Sequence, residues 1–173
     1  VTASHSAAIH RHRIHVLAPS VADVVVFIGG WVFDQAMRGW DVHVFVAGRP
    51  DVRPLQILGA CPGGLDGYLA GDQSVPPDFL TVATEVYDHD ARVRGVALAA
   101  LRNRTSVVAL WGGAAPTGLA RSIRGERIPM SAAAAAFKAQ AVRALGGALP
   151  AAGPCRDGEL LFTAPIGQLG EVR

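Results

Sequence analysis

The sequence predicts a single α/β domain, a mostly parallel central sheet with helices packed on it in a Rossmann-like layered architecture. Three observations carry that expectation. Stretches of β-forming residues alternate with stretches of helical period along most of the chain, the signature of layered α/β folds. "RIHVLAP", an apolar helix and "DVHVFVAG" follow one another through short turns, which makes a βαβ unit with a right-handed crossover. A chain of 173 residues, 50% hydrophobic and 17% charged, suits one hydrophobic core and not a disordered polymer.

Taken in order, residues 1–12 ("VTASHSAAIHRH") carry no apolar pattern and read as a flexible tail, leaving 13–173 as the domain. Residues 13–19 read as a strand ended by Pro19. Ser20 then caps a helix from Val21 to Arg38, with Gly39 as its stop. Residues 41–48 alternate and give the second strand. Gly and Pro break the pattern from Gly48 to Pro77, which reads as a short strand or helical turn at Leu55 to Leu58 and then a long loop. "PDFLTVATEVYDHD" places Phe79, Val82, Ala83 and Val86 on one helical face, and "ARVRGVALAALRNR" repeats that spacing more clearly. The remaining elements are a buried strand over 105–113, a polar connector, a helix over 131–147 capped by Ser131, and a last strand over 158–165.

The apolar run Val24 to Phe33 is bounded by Asp23 and Asp34 and falls well short of the ~20 residues a membrane span needs. Gly29 and Gly30 lie two turns into the helix, too late to build a dinucleotide-binding turn. They cost about 1 kcal/mol each relative to Ala, a cost that close packing of the helix offsets. The run is therefore a core helix.

In layout, residues 13–48 resemble the metal-dependent sugar N-deacetylases: a strand, a Pro-containing turn, an apolar helix with a glycine, and a second strand. In that family the turn carries a His-Pro-Asp-Asp run that supplies metal ligands and a base. Here Pro19, Ser20, Val21, Ala22 and Asp23 stand in the turn, so one carboxylate remains and the sequence is not assigned to the family.

A net charge of +2 is too small to make nucleic-acid binding the main activity. The strand leaving through Gly112 and Gly113 leads to Thr117, Ser122, Arg121, Arg124 and Arg127. Of these, Gly112, Gly113, Thr117, Arg121 and Arg124 form the candidate anion site, since paired amide and guanidinium donors suit phosphate or carboxylate. Among Glu85, Asp88, His89 and Asp90 a carboxylate could orient the histidine as a base, but the favoured reading is a helix junction with Asp88 or Asp90 as the N-cap of the next helix. His5, His10, His12 and His15 read as incidental tail histidines, with no metal site assigned. Cys61 and Cys155 read as unrelated reduced thiols of a cytosolic protein. No Walker, Gly-x-Ser-x-Gly, His-Glu-x-x-His or Cys-x-x-Cys pattern occurs, and no cofactor is assigned.

The function expected from these residues is a non-catalytic or regulatory domain that binds a small anionic ligand, a nucleotide or acidic metabolite, at the carboxyl edge of the sheet. The alternatives are a small cytosolic hydrolase or transferase acting on an anionic substrate, and an oligomeric interaction subunit without a ligand. Small-residue helix surfaces such as Ala132 to Ala136 point to a homodimer.

Overall fold

A computed structural model describes residues 12–163, apart from 73, 117, 120–122 and 147–157. The described elements are β1 (Arg13–Ala18), α1 (Val21–Met37), β2 (Asp41–Val46), α2 (Val52–Ile57), β3 (Cys61–Gly64), α3 (Leu65–Ala70), β4 (Phe79–Ala83), α4 (Thr84–His89), α5 (Ala91–Asn103), β5 (Val107–Trp111), β6 (Arg124–Ile128), α6 (Ala132–Ala144) and β7 (Glu159–Thr163). The strands form one sheet in the order β3-β2-β1-β4-β5-β7-β6. From β3 to β5 all neighbours are parallel, while β7 runs antiparallel to both β5 and β6. The α/β architecture expected from the sequence is thus the one observed.

The chain runs outward from β1 to β2 and β3, then returns to lay β4 on the other side of β1. That reversal places a topological switch point between β1 and β4. Crevices at such points, beyond the carboxyl ends of the strands, are where open α/β sheets take ligands. Right-handed crossovers put α1 and α2 on one face, where α6 packs on both. On the other face Tyr68 of α3 meets His15, and Arg92 of α5 reaches Asp66 of α3.

Helix α1 forms where expected. Ser20 caps it: its Oγ accepts from the Asp23 N–H and donates to the Asp23 carboxylate. Gly39, at φ +87°, takes the left-handed conformation that ends the helix. Val24, Val25, Ile28 and Val32 are fully buried and Trp31 and Phe33 nearly so, because α1 lies between the sheet and α6. Each such side chain contributes about 1.5–3 kcal/mol of burial free energy. A Cβ at Gly30 would meet Met130 Sδ at 2.3 Å and Glu159 Oε1 at 3.2 Å, so any larger residue there requires the Met130 side chain to move. At Gly29 the nearest atom to such a Cβ is Leu58 Cδ1 at 3.4 Å, ordinary contact, so close approach accounts for only one of the pair.

A buried ion pair reaches α1 at the same turn. Lys138, the only lysine in the chain, donates to Glu159 Oε1 at 2.6 Å and to the Val26 carbonyl at 2.6 Å. The Gly30 and Trp31 N–H groups donate to the two oxygens of Glu159, at 2.8 and 2.6 Å. Burial drives the Glu159 carboxyl above its ordinary range, opposed by the Lys138 charge and by these donors. Apart from a lone lysine in an alanine-rich helix, nothing in the sequence pattern announces this network.

Three expectations need correction. The segment read as a helix from Pro77 is strand β4 up to Ala83 and helix only from Thr84 to His89. β4 lies between β1 and β5 and is buried on both faces, so it lacks the alternation that marks a half-exposed strand. The helical turn expected at Leu55 to Leu58 falls at the end of α2, but the long loop expected after it contains β3 and α3. The connector after Gly113 contains β6, an edge strand whose exposed Arg124, Glu126 and Arg127 disguise it as a solvated loop. Among the described residues no helix is long and apolar enough to cross a membrane.

Candidate active site

The carboxyl ends of β1, β4 and β5 lie side by side. In register, Leu17 faces Val82, and Ala83 faces Trp111. Each strand leaves the sheet differently. β1 turns through Pro19 and Ser20 into the α1 cap. β4 passes directly into α4, whose first turn exposes Glu85 and whose last turn exposes Asp88 and His89. β5 leaves through Gly112, at φ +82°, a conformation that favours glycine. Thr84 Oγ1 donates to the Trp111 carbonyl at 3.0 Å and so ties the ends of β4 and β5 together. Gly113 packs against the same threonine, since a Cβ there would lie 3.4 Å from Thr84 Cβ.

Between α4 and the turn after β5 lies an open cavity of about 430 Å³ lined by Thr84, Glu85, Asp88, His89, Gly112, Gly113 and Ala114 to Pro116. A smaller cavity of about 170 Å³ lies on the other side of the same glycines, against Phe27, Leu160 and the buried Glu159. On the wall of the larger cavity, His89 Nδ1 lies 2.8 Å from the Glu85 carbonyl, which can only accept, so this contact needs a proton on Nδ1 and, in the neutral imidazole, leaves the lone pair on Nε2. An imidazole so held can take a proton from a bound water.

Asp90 is the α5 N-cap and does not serve the cavity. It accepts from the Arg92 N–H, Nε and Nη2, and these hydrogen bonds hold its carboxyl down at about 2. The capping role expected of Asp88 or Asp90 therefore belongs to Asp90, which leaves Asp88 beside His89 in the cavity wall.

Of the expected anion site, the structure brings Gly112 and Gly113 to the carboxyl edge; Thr117 and Arg121 lie outside the described residues. Arg124 is not brought to them. It opens β6, two strands from β5, level with Thr163 and hence with Ala109. Two strand spacings put it ~10 Å sideways, and three residues of rise put it ~10 Å back along the sheet from Gly112. The cavity wall carries carboxylates and no described arginine.

The remaining candidates lie apart from the cavity. His12 stacks on Trp40 with centroids 4.8 Å apart and sits 3.4 Å from Asp78. His15 points from β1 toward His43 and Tyr68 on the α3 side. Burial, and then the charges of His43 and Arg13, push His15 down to about 4. Cys61 is an exposed free thiol on β3, and His5, His10 and Cys155 lie outside the described residues.

A catalytic metal of the kind used by the sugar N-deacetylases does not fit the turn after β1. A metal site needs three or more N, O or S ligands converging at ~2.0–2.3 Å. Pro19 and Ala22 offer no donor, Val21 is a buried apolar residue, and Asp23 is engaged in the Ser20 cap. Among the described residues no group of three or more His, Cys, Asp or Glu could hold a metal ion.

No protein-family model matches the chain, and no curated protein matches it. Solved structures do. A triple mutant of the deacetylase of the teicoplanin biosynthetic pathway superposes with a TM-score of 0.60 at 15% identity, covering 87% of this chain and 97% of that one. The A40926 pseudoaglycone deacetylase gives 0.60 at 17% identity, covering 89% and 97%. The zinc-inhibited form of teicoplanin deacetylase gives 0.61 at 14%, covering 88% and 97%. The solved proteins this chain resembles are deacetylases, which runs against the expectation of a non-catalytic binding domain and favours the small-enzyme alternative. Across nearly the whole length of those deacetylases, this chain shares their fold.

Proposed function

We propose that the chain is a small hydrolase that cleaves an acyl–nitrogen bond and releases an amine at the crevice formed by the ends of β1, β4 and β5. The observation that carries this reading is His89, its Nδ1 within hydrogen-bond distance of the Glu85 carbonyl, on the wall of a cavity it shares with Gly112 and Gly113. His89 Nε2 accepts a proton from water as the water oxygen bonds to the acyl carbon. The carbonyl oxygen becomes an oxyanion, and the amides of the Gly112–Gly113 turn are the donors nearest to hand for it. The anion expected at these glycines becomes, in this reading, the tetrahedral intermediate. When the carbon–nitrogen bond breaks, the imidazolium returns its proton to the leaving nitrogen. The products are a carboxylate and an amine, and the Glu85 and Asp88 carboxylates favour the ammonium that the amine becomes.

The deacetylase fold supports this bond class, and the cavity accepts a group the size of an amino sugar or an amino acid. The test is amine release from a panel of N-acetylated and longer N-acylated amino sugars and amino acids. His89→Ala should lose about 10²–10⁴-fold in rate, the contribution of a positioned base. An absence of amine release across the panel, or an undiminished rate in His89→Ala, would count against the proposal.

A further inference from the structure

We infer that hydrolysis in this crevice proceeds without a bound divalent cation, so that the chain has kept the layout of a metal-dependent deacetylase and changed its chemistry. The inference rests on the hydrolase reading and goes beyond it. Its support is the donor set. A metal at the switch point would draw its ligands from the turn after β1 and from the exposed side chains of α4. The first offers Asp23 alone, and that carboxylate already accepts the Ser20 hydroxyl proton in the helix cap. Val21, at the position where a second ligand would stand, is turned into the core at 5% exposure. In α4, His89 offers Nε2 as a single ligand, and the described His, Cys, Asp and Glu residues nowhere converge in the group of three or more that a bound ion needs.

Each task a metal performs then needs a substitute. Water is activated by His89 Nε2 in place of a cation that lowers its pKa. The developing oxyanion is received by backbone amides of the Gly112–Gly113 turn. The cavity's carboxylates, which would otherwise neutralise a metal, are left to hold the ammonium product. Proton balance closes within the site, because the proton taken from water returns to the leaving nitrogen.

The test measures metal directly, so it does not depend on finding a substrate. The full chain is purified without a histidine tag, equilibrated with equimolar Zn²⁺, desalted, and its metal content measured beside that of His89→Ala, whose side chain is exposed and whose fold is checked by circular dichroism. Asp23→Asn is measured in parallel. The inference expects either no retained zinc, or zinc retained equally by all three proteins and therefore held away from the crevice. Stoichiometric zinc in the wild type that is lost in His89→Ala or Asp23→Asn, with the fold intact, overturns it. With any substrate that releases amine, the rate should survive EDTA; loss on chelation and recovery with Zn²⁺ overturns the inference as well. Silence across the substrate panel would sink the hydrolase reading and leave the metal result to stand separately.

Discussion

Lys138→Met is the sharpest perturbation of the fold that the structure offers. The substitution keeps length and apolar stem but removes the ammonium that Glu159 and the Val26 carbonyl both engage. Lys138 and Glu159 are 5% and 1% exposed, so water cannot replace the lost partner. Breaking a buried pair from one side costs about 3–5 kcal/mol, because the remaining charge is left unpaired. At about 2–4 °C per kcal/mol for a domain of this size, the melting temperature should fall by about 6–20 °C. The double variant Lys138→Met with Glu159→Gln removes the orphaned charge while keeping an oxygen for one α1 amide, so it should be more stable than Lys138→Met alone. The pH dependence has a definite sign. Glu159 already titrates above its ordinary range, and without the lysine it should rise further. A raised carboxyl contributes stability that is present below its unfolded value and lost as pH rises through the folded one. The deficit of Lys138→Met should therefore shrink as pH falls from 7 toward 5. Urea denaturation at both pH values reads all three quantities. A single variant within ~1 kcal/mol of wild type, or a double variant no more stable than the single, would refute the reasoning, since ordinary surface substitutions stay within that range.

Three further outcomes follow from the same geometry. Gly30→Ala should destabilise by about 1–3 kcal/mol through overpacking against Met130, whereas Gly29→Ala should be neutral or gain up to about 1 kcal/mol of helix propensity; equal effects on thermal melting would show that the glycines are not distinguished by packing. Thr81 is fully buried, and its Oγ1 has no hydrogen-bond partner among the described residues, so Thr81→Val should raise stability by about 1–3 kcal/mol; a loss in denaturant titration would mean the hydroxyl is satisfied. His15 is held at about 4 against an ordinary 6.5, so its contribution is present above 6.5 and lost as pH falls toward 4. His15→Gln should flatten the melting temperature against pH across that window, and an unchanged slope would assign the acid sensitivity elsewhere.

Much of the fold is legible because it is periodic. Ser20, the apolar run of α1 and Gly39 mark their helix, and the Val-rich β2 and the spacing of α5 mark theirs. What escapes does so for physical reasons. β3 reads Cys-Pro-Gly-Gly, and an edge strand tolerates Pro62 because one side of its backbone needs no ladder partner. β4 is buried on both faces and happens to repeat at helical spacing, so its fusion to α4 reads as one longer helix. That single error hides the candidate site. With a helix placed from Pro77, His89 falls at an ordinary junction; with β4 ending at Ala83, it emerges beside the ends of β1 and β5. Gly112 and Gly113 are legible as the exit from a buried strand, but Arg124 reads as their neighbour only because the edge strand β6 is invisible in its charged sequence. The lone lysine in an alanine-rich helix was the one available sign of the Glu159 network.

The central claim is the position of the site at the carboxyl ends of β1, β4 and β5. Backbone ¹H–¹⁵N spectra recorded while acetate and an N-acetylated amino sugar are titrated into the protein test it most directly. The account predicts shifts concentrated at Thr84 to His89 and Gly112 to Ala115, weakened in His89→Ala. Shifts concentrated instead around the cavity of about 250 Å³ at the opposite edge, lined by Tyr68, Leu80, Val96, Asn103 and Thr105, would contradict it.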